Sequence, residues 1–133
     1  MAAVSKVVLD GNNKHIIHLT NFDGTAESAV KKVDISTLVG PDGKNPPTKF
    51  TVEAIVYDVQ GFSAVKLAFD ANTDDPFAVL SLAGTMDLRG IGGYTDPQST
   101  GYTGDIVLTT VAADSNYDGT ETYDILLILR KKQ

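Results

Sequence analysis

The sequence predicts an all-β domain, a β-sandwich or jelly roll of about eight short antiparallel strands. Turn-forming clusters of Gly, Pro, Asn and Asp recur about every ten residues, and apolar residues alternate with polar ones between them. No window carries the capped apolar repeat that is typical of an amphipathic helix. Because 133 residues suit one domain, we expect residues 1–133 to form a single β-sandwich.

The segments between the turns have the length and composition of strands. The first two flank a Gly/Asn turn at residues 10–13 and should form a hairpin. Gly84 interrupts a later apolar stretch, which predicts a bulge or kink within one extended segment. The predicted strands are residues 4–9, 15–20, 30–36, 49–59, 63–69, 77–82, 85–88, 105–112 and 121–129.

The last predicted strand contains the longest apolar run of the chain, at residues 125–129. A continuously apolar strand is expected to be covered on both faces, either by a second sheet and a loop or by another subunit. Ile125, Leu127 and Leu129 are therefore candidate contacts with a partner. The basic residues 130–132 that follow are interpreted as a solvated tail or as a small contact for an acidic neighbour.

Eleven basic and seventeen acidic residues give a formal net charge of −6. This balance argues against binding to nucleic acid or to an anionic membrane surface. The absence of cysteine excludes disulfides, cysteine-ligated zinc and thiol nucleophiles. The chain also lacks a secretory-type apolar segment and an apolar run long enough to cross a bilayer, so we expect a soluble protein.

The residues that catalysis requires do not form a recognisable motif. His15 and His18 are expected on opposite faces of one strand, where they could not share a metal ion. No serine lies in a Gly-x-Ser-x-Gly elbow, and the glycines of residues 90–95 lack the pattern of a phosphate-binding loop. We therefore expect a protein without enzymatic activity and without a cofactor.

One segment weakly resembles a calcium loop. Asp114, Asn116 and Asp118 offer oxygen ligands at alternate positions, and Gly119 follows them. The position of the bidentate glutamate of an EF-hand is occupied by Ile125, and the flanking segments are predicted strands. The sequence favours an Asx-rich hairpin connection, with a calcium site as the alternative.

Two segments are candidate contact elements because each is expected to remain free for a partner. The first is a possible N-terminal arm, residues 1–6, with Val4 and Lys6 as contacts. The second is the glycine-rich loop of residues 89–104, with Tyr94 and Tyr102. Together with Tyr117, these tyrosines could form an aromatic platform for a carbohydrate, although the absence of tryptophan weakens that interpretation.

Three stretches carry a resemblance to a known group of proteins. They are VSKVVLDGNNK at residues 4–14 leading to IHLT at 17–20, GDIVLTT at 104–110, and TYDILLILRKK at 122–132. In these phrases the chain resembles small virion structural proteins of tailed bacteriophages. The resemblance covers most of the chain but rests on recurring phrases instead of a chemical motif.

The resemblance implies a capsid decoration or cement protein that binds outside the lattice of the major capsid protein and stabilises the head. It implies a homo-oligomer, a trimer or a dimer, on the virion capsid surface, soluble in the host cytoplasm before assembly. The alternative is a carbohydrate or host-surface binding module, such as a fibre or tail component.

Overall fold

The computed structural model describes residues 3–113 and 119–133, which form ten strands in two antiparallel sheets. Two short 3₁₀ helices, Ile35–Thr37 and Arg89–Ile91, are the helical elements of this described part. The strands are β1 (Ala3–Asp10), β2 (Lys14–Asn21), β3 (Val30–Val33), β4 (Lys49–Gln60), β5 (Phe62–Ala71), β6 (Asp75–Leu80), β7 (Leu82–Asp87), β8 (Tyr94–Thr95), β9 (Tyr102–Ala112) and β10 (Thr122–Lys132).

The strand order confirms the predicted fold class and is that of a jelly roll. One sheet has the order β1-β2-β10-β4-β7, with β8 also paired to β4, and the other has the order β3-β9-β5-β6. Apart from β1 and β8, the strands pair as a rolled ribbon: β2 with β10, β3 with β9, β4 with β7, and β5 with β6. This pairing of early with late strands is the double-sheet jelly-roll arrangement.

The core lies between the two sheets and is built by the alternation of side chains along each strand. In β10, Ile125, Leu127 and Leu129 are fully buried, as are Leu67 and Phe69 of β5 in the opposite sheet. These residues belong to one continuous apolar cluster that spans both sheets. The fold therefore has a single hydrophobic core, closed by inward-facing residues of both layers.

The predicted kink at Gly84 is wrong, because Gly84 lies within β7. The chain instead turns at Leu82, whose φ of 61° is in the left-handed region, and there it passes from the four-stranded to the six-stranded sheet. Gly84 faces Tyr57 of β4, and a Cβ at Gly84 would lie 2.9 Å from the Tyr57 hydroxyl oxygen. The glycine therefore permits close cross-strand packing, which a sequence pattern cannot distinguish from a kink.

The interpretation of residues 130–132 as a solvated tail is also wrong. β10 continues through Lys132, and each of these residues is paired with β4. Lys131 lies two residues after Leu129, so its side chain also points inward, and it is buried. The third predicted strand is shorter than expected, because Asp34 caps a 3₁₀ helix by accepting a hydrogen bond from the Ser36 amide at 3.1 Å.

Candidate interaction surfaces

β1 is an edge strand whose residues are exposed on both faces of the sheet. It pairs with β2, so residues 3–6 belong to a strand and are not a free arm. The six-stranded sheet extends one strand beyond the four-stranded sheet here, and β1 residues from Val4 onward are exposed on either side. Four of the exposed residues are large and apolar: Val4 (44%), Val7 (53%), Val8 (56%) and Leu9 (47%).

The register of β1 changes in the middle of the strand. Val7 pairs with Ile17, but Leu9 pairs with the next residue, Ile16, so Val8 is the extra residue of a β-bulge. Lys6 lies opposite His18, on the outer side of the sheet. The predicted contact residues Val4 and Lys6 are therefore both exposed on this edge.

The predicted partner contacts at Ile125, Leu127 and Leu129 are wrong. All three side chains have no exposed surface, because the four-stranded sheet covers the inner face of β10. The alternate residues Leu126 and Ile128 lie on the outer face and are partly exposed. The apolar run is thus covered by the second sheet on one side and open on the other.

The two tyrosines of the 89–104 segment are both engaged within the protein. Tyr94 lies in β8, and its ring centroid is 5.9 Å from that of Phe69. One face of the Tyr102 ring is covered by Lys49, whose Nζ is 4.4 Å from the centroid. Lys49 also donates hydrogen bonds to the carbonyl oxygens of Asp96, at 3.2 Å, and of Gln98.

The two histidines lie on opposite faces of β2, as predicted. His15 is buried, and its Nδ1 is 3.1 Å from Oδ1 of Asp10. His18 lies on the outer face, with Nε2 2.5 Å from Oδ1 of Asp124. Within residues 3–113 and 119–133 there is no group of three or more His, Asp or Glu side chains arranged to hold a metal ion. The calcium candidates Asp114, Asn116 and Asp118 lie outside the described residues.

A buried lysine joins three parts of the chain at one end of the sandwich. Lys131 Nζ donates to Asp10 Oδ1 at 2.6 Å, to the Gly11 carbonyl at 2.7 Å and to the Val39 carbonyl at 2.8 Å. These three acceptors match the three donors of the ammonium group. Desolvation acts to raise the pKa of Asp10, but hydrogen bonds from Lys131 and His15 lower it below its ordinary value. The arrangement ties the β1–β2 turn to β10.

A second buried network surrounds Glu27, in the connection between β2 and β3. The Tyr123 hydroxyl donates to Glu27 Oε1 at 2.6 Å, and Lys32 forms an ion pair with the other oxygen. Asn21 Nδ2 lies 3.3 Å from Glu27 Oε1. Desolvation, followed by the hydrogen bond to Glu27, raises the pKa of Tyr123. Sequence analysis missed both networks because Lys131 and Tyr123 each donate to acceptors that are distant in the sequence.

An open groove of about 370 Å³ lies on the six-stranded sheet, near the start of β10. Phe22 at its rim is 67% exposed, and two carboxylates face it from neighbouring strands. The groove is lined by Thr20, Asn21, Phe22, Asp58, Thr122, Tyr123 and Asp124. The groove therefore places an exposed aromatic ring beside two carboxylates.

Comparisons with known proteins give no family for the chain. No family model, no curated protein and no solved structure matches it. Among the described residues, none of the helices has the length and apolar character that a membrane crossing requires.

Proposed function

We propose that this chain is a virion structural protein of a tailed bacteriophage, a decoration protein that binds outside the major capsid protein lattice and stabilises the head. The observation that carries the proposal is the apolar edge strand β1, which is exposed on both faces. The resemblance of residues 4–14, 17–20, 104–110 and 122–132 to phage virion proteins supports the same assignment.

β1 suits binding by strand addition. An exposed edge offers backbone amides and carbonyls to an extended segment of a partner, and apolar side chains on both faces add contacts on either side. Val7 faces the inner side, while Val4 faces outward with Thr20. A segment of the major capsid protein beside β1 would cover both.

Adhesion by many copies explains how a small contact stabilises a large shell. Each copy binds the assembled lattice more tightly than the separated subunits, so its binding free energy adds to the stability of the shell. The jelly roll supports this by analogy of fold alone, since viral capsid and lectin domains share it. The carbohydrate-binding alternative has less support, because Tyr94 and Tyr102 are engaged within the protein.

The test is co-sedimentation of the purified chain with capsids of the phage that encodes it. We expect saturable binding, and we expect Val7→Lys to weaken it by about tenfold or more, because a lysine at this edge disfavours strand addition. The matched control is Val79→Lys, on the edge strand of the other sheet, where the valine is 62% exposed.

Absence of binding to both mature and precursor capsids would overturn the proposal. Equal weakening by Val7→Lys and Val79→Lys would overturn the role of β1 in it. Heating the capsids with and without the chain gives a second readout, since a decoration protein is expected to delay release of the packaged DNA.

A further inference from the structure

The outer face of the six-stranded sheet carries an apolar band across its middle. We use the term outer face for the outward-pointing residues of five strands: β1, β2, β10, β4 and β7. One row across the sheet joins Ile16 and Ile128 and ends at Ala54, which is already buried, and the next row joins His18, Leu126 and Val56. Val56 is 43% exposed. Large aliphatic residues on a solvent-facing sheet surface indicate that something covers them.

The two ends of this band carry opposite charge. Beyond the Leu126 row, Asp124 of β10 lies directly opposite Asp58 of β4. Beyond the Ile128 row, Arg130 lies opposite Lys14 of β2, and both contact Glu53. Lys132 extends the basic end further along β10. The outer face therefore runs from acidic to basic along the strands.

The acidic end contains a cross-strand pair of like charges. Directly opposed carboxylates destabilise an antiparallel pair, because their negative charges repel each other. Asp58 accepts a hydrogen bond from Gln60 at 2.8 Å, and Asp124 contacts His18. A cation from another molecule would offset the remaining repulsion.

We propose that the outer face binds a second copy of this chain, in a two-fold dimer with the sheets face to face and the β10 strands antiparallel. This reversal places the acidic end of each copy against the basic end of the other, so that Asp124 faces the second copy's Arg130. The apolar rows then meet in the middle. A two-fold interface requires such self-complementarity, and this face provides it in charge and in apolar content.

The size of the face suits a stable dimer. Five neighbouring strands of six to twelve residues, spaced about 4.8 Å apart and rising about 3.3 Å per residue, outline about 700 Å². This area is close to the ~800 Å² that each partner buries in a standard interface. A groove at the acidic end, next to the exposed Phe22, offers room for a side chain of the second copy.

The outer face of the four-stranded sheet lacks this combination in its described strands. Lys31 and Lys66 occupy outward positions there, so the exposed Val79 lies directly opposite a cation instead of within an apolar row. Lys31 forms an ion pair with Asp105 at 3.1 Å. The contrast favours the six-stranded sheet as the interface.

The test is the solution mass of the full chain, measured by light scattering over a range of concentrations. We expect twice the chain mass of 14.1 kDa. Val56→Lys should shift the chain to monomer, whereas Val79→Lys on the other sheet should leave the dimer intact. Asp58→Lys should weaken the dimer by about tenfold, because it removes an attraction between copies, while its monomer stays folded since the Asp58–Asp124 repulsion disappears.

A monomer at all concentrations, or a trimer, would overturn the proposal. So would a dimer that survives Val56→Lys but is lost in Val7→Lys, since that result would assign the contact to β1. The capsid-binding test is separate, because it depends on Val7 and not on Val56. Each proposal can therefore fail while the other stands.

Discussion

At the scale of single residues, Lys131 shows how a charged side chain can belong to the interior. Its side chain is 1% exposed, yet each of its ammonium protons has an acceptor. A buried charge is tolerated when it is paired and fully hydrogen-bonded, and it becomes costly when a partner is removed. Lys131 therefore holds together the turn after β1, the Val39 segment and β10.

Replacing Lys131 with Met should lower the free energy of unfolding by about 2–3 kcal/mol, because the change leaves three acceptors without their charged donor. Lys132→Met is the matched control, since that neighbouring side chain is exposed, and its effect should stay within about 0.5 kcal/mol. Urea unfolding of both variants measures the difference. Equal losses would show that Lys131 does not act through these hydrogen bonds.

Asp10 predicts a dependence of stability on pH. Its pKa is lower in the folded protein than its ordinary value of 3.8, so its ionisation stabilises the fold above that value. This contribution is lost as the pH falls through 3.8 towards the lower folded pKa. Asp10→Asn should therefore be less stable than the native chain at pH ~7 and should lose less stability on acidification to pH ~3.

Urea midpoints of the native chain and Asp10→Asn, measured at both pH values, provide the readout. Parallel losses in the two proteins would assign the acid sensitivity to other carboxylates. Asp87 is one such group, since hydrogen bonds from the side chain and backbone of Arg89 lower its pKa to about 2.

At the scale of elements, the connection between β2 and β3 closes one end of the sandwich. The Glu27 carboxylate accepts a hydrogen bond from the Tyr123 hydroxyl of β10. The Glu27 amide donates to the Thr110 hydroxyl of β9 at 2.9 Å, and the Thr110 amide donates to the Glu27 carbonyl at 3.0 Å. The connection therefore bridges both sheets. Loops held by buried polar groups in this way open less readily than exposed loops.

Tyr123→Phe should lower the free energy of unfolding by about 1–2 kcal/mol, because Glu27 loses a buried donor. It should also increase cleavage of residues 22–29 by proteases under native conditions. Tyr102→Phe is the control, since the contact of that ring with Lys49 does not require the hydroxyl. A protease pattern that is unchanged in Tyr123→Phe would contradict the bridging role.

The strands were more predictable from the sequence than their contacts. Alternation placed β2, β4 and β5 within a few residues of their observed bounds, because a half-buried strand repeats every two residues. The same rule implied that Ile125, Leu127 and Leu129 share one face, but it could not say that this face meets the second sheet. The same alternation also places Lys131 on the inward face, but it does not identify its partners, which lie about 90 and 120 residues away along the chain.

The exposed edge was predicted in part. Val4 and Lys6 were identified as contacts because terminal segments are often free, whereas the structure exposes them through the overhang of a sheet. Which strand lies at an edge depends on the order of strands in the sheet, which no local pattern encodes. The like-charge pair of Asp58 and Asp124 escaped prediction for the same reason.

At the scale of the whole molecule, the rolled ribbon makes the two sheets depend on each other. The rolled ribbon consists of four strand pairs, β2–β10, β3–β9, β4–β7 and β5–β6. Successive pairs lie alternately in the six-stranded and the four-stranded sheet. Neither sheet can bury its apolar face without the other, because one cluster contains residues of both. The described part of the chain is thus expected to behave as one cooperative unit.

Thermal unfolding of the chain should follow a single transition, with a calorimetric enthalpy equal to the van't Hoff enthalpy. The measurement is differential scanning calorimetry at low protein concentration, where association contributes least. Two resolved transitions would show that one sheet or the β1–β2 hairpin unfolds separately. A midpoint that rises with concentration would instead report the face-to-face dimer.

The register shift at Val8 affects how β1 can pair with a strand of another molecule. If a second β1 lay alongside, its backbone donors and acceptors would be in phase on one side of the shift and out of phase on the other. Pairing between two such edges is therefore interrupted in the middle of the strand, which lowers the usual aggregation hazard of an apolar edge. A strand of any sequence can pair along the whole of β1 only if it accommodates the same one-residue irregularity, so the bulge restricts which segments can bind this edge.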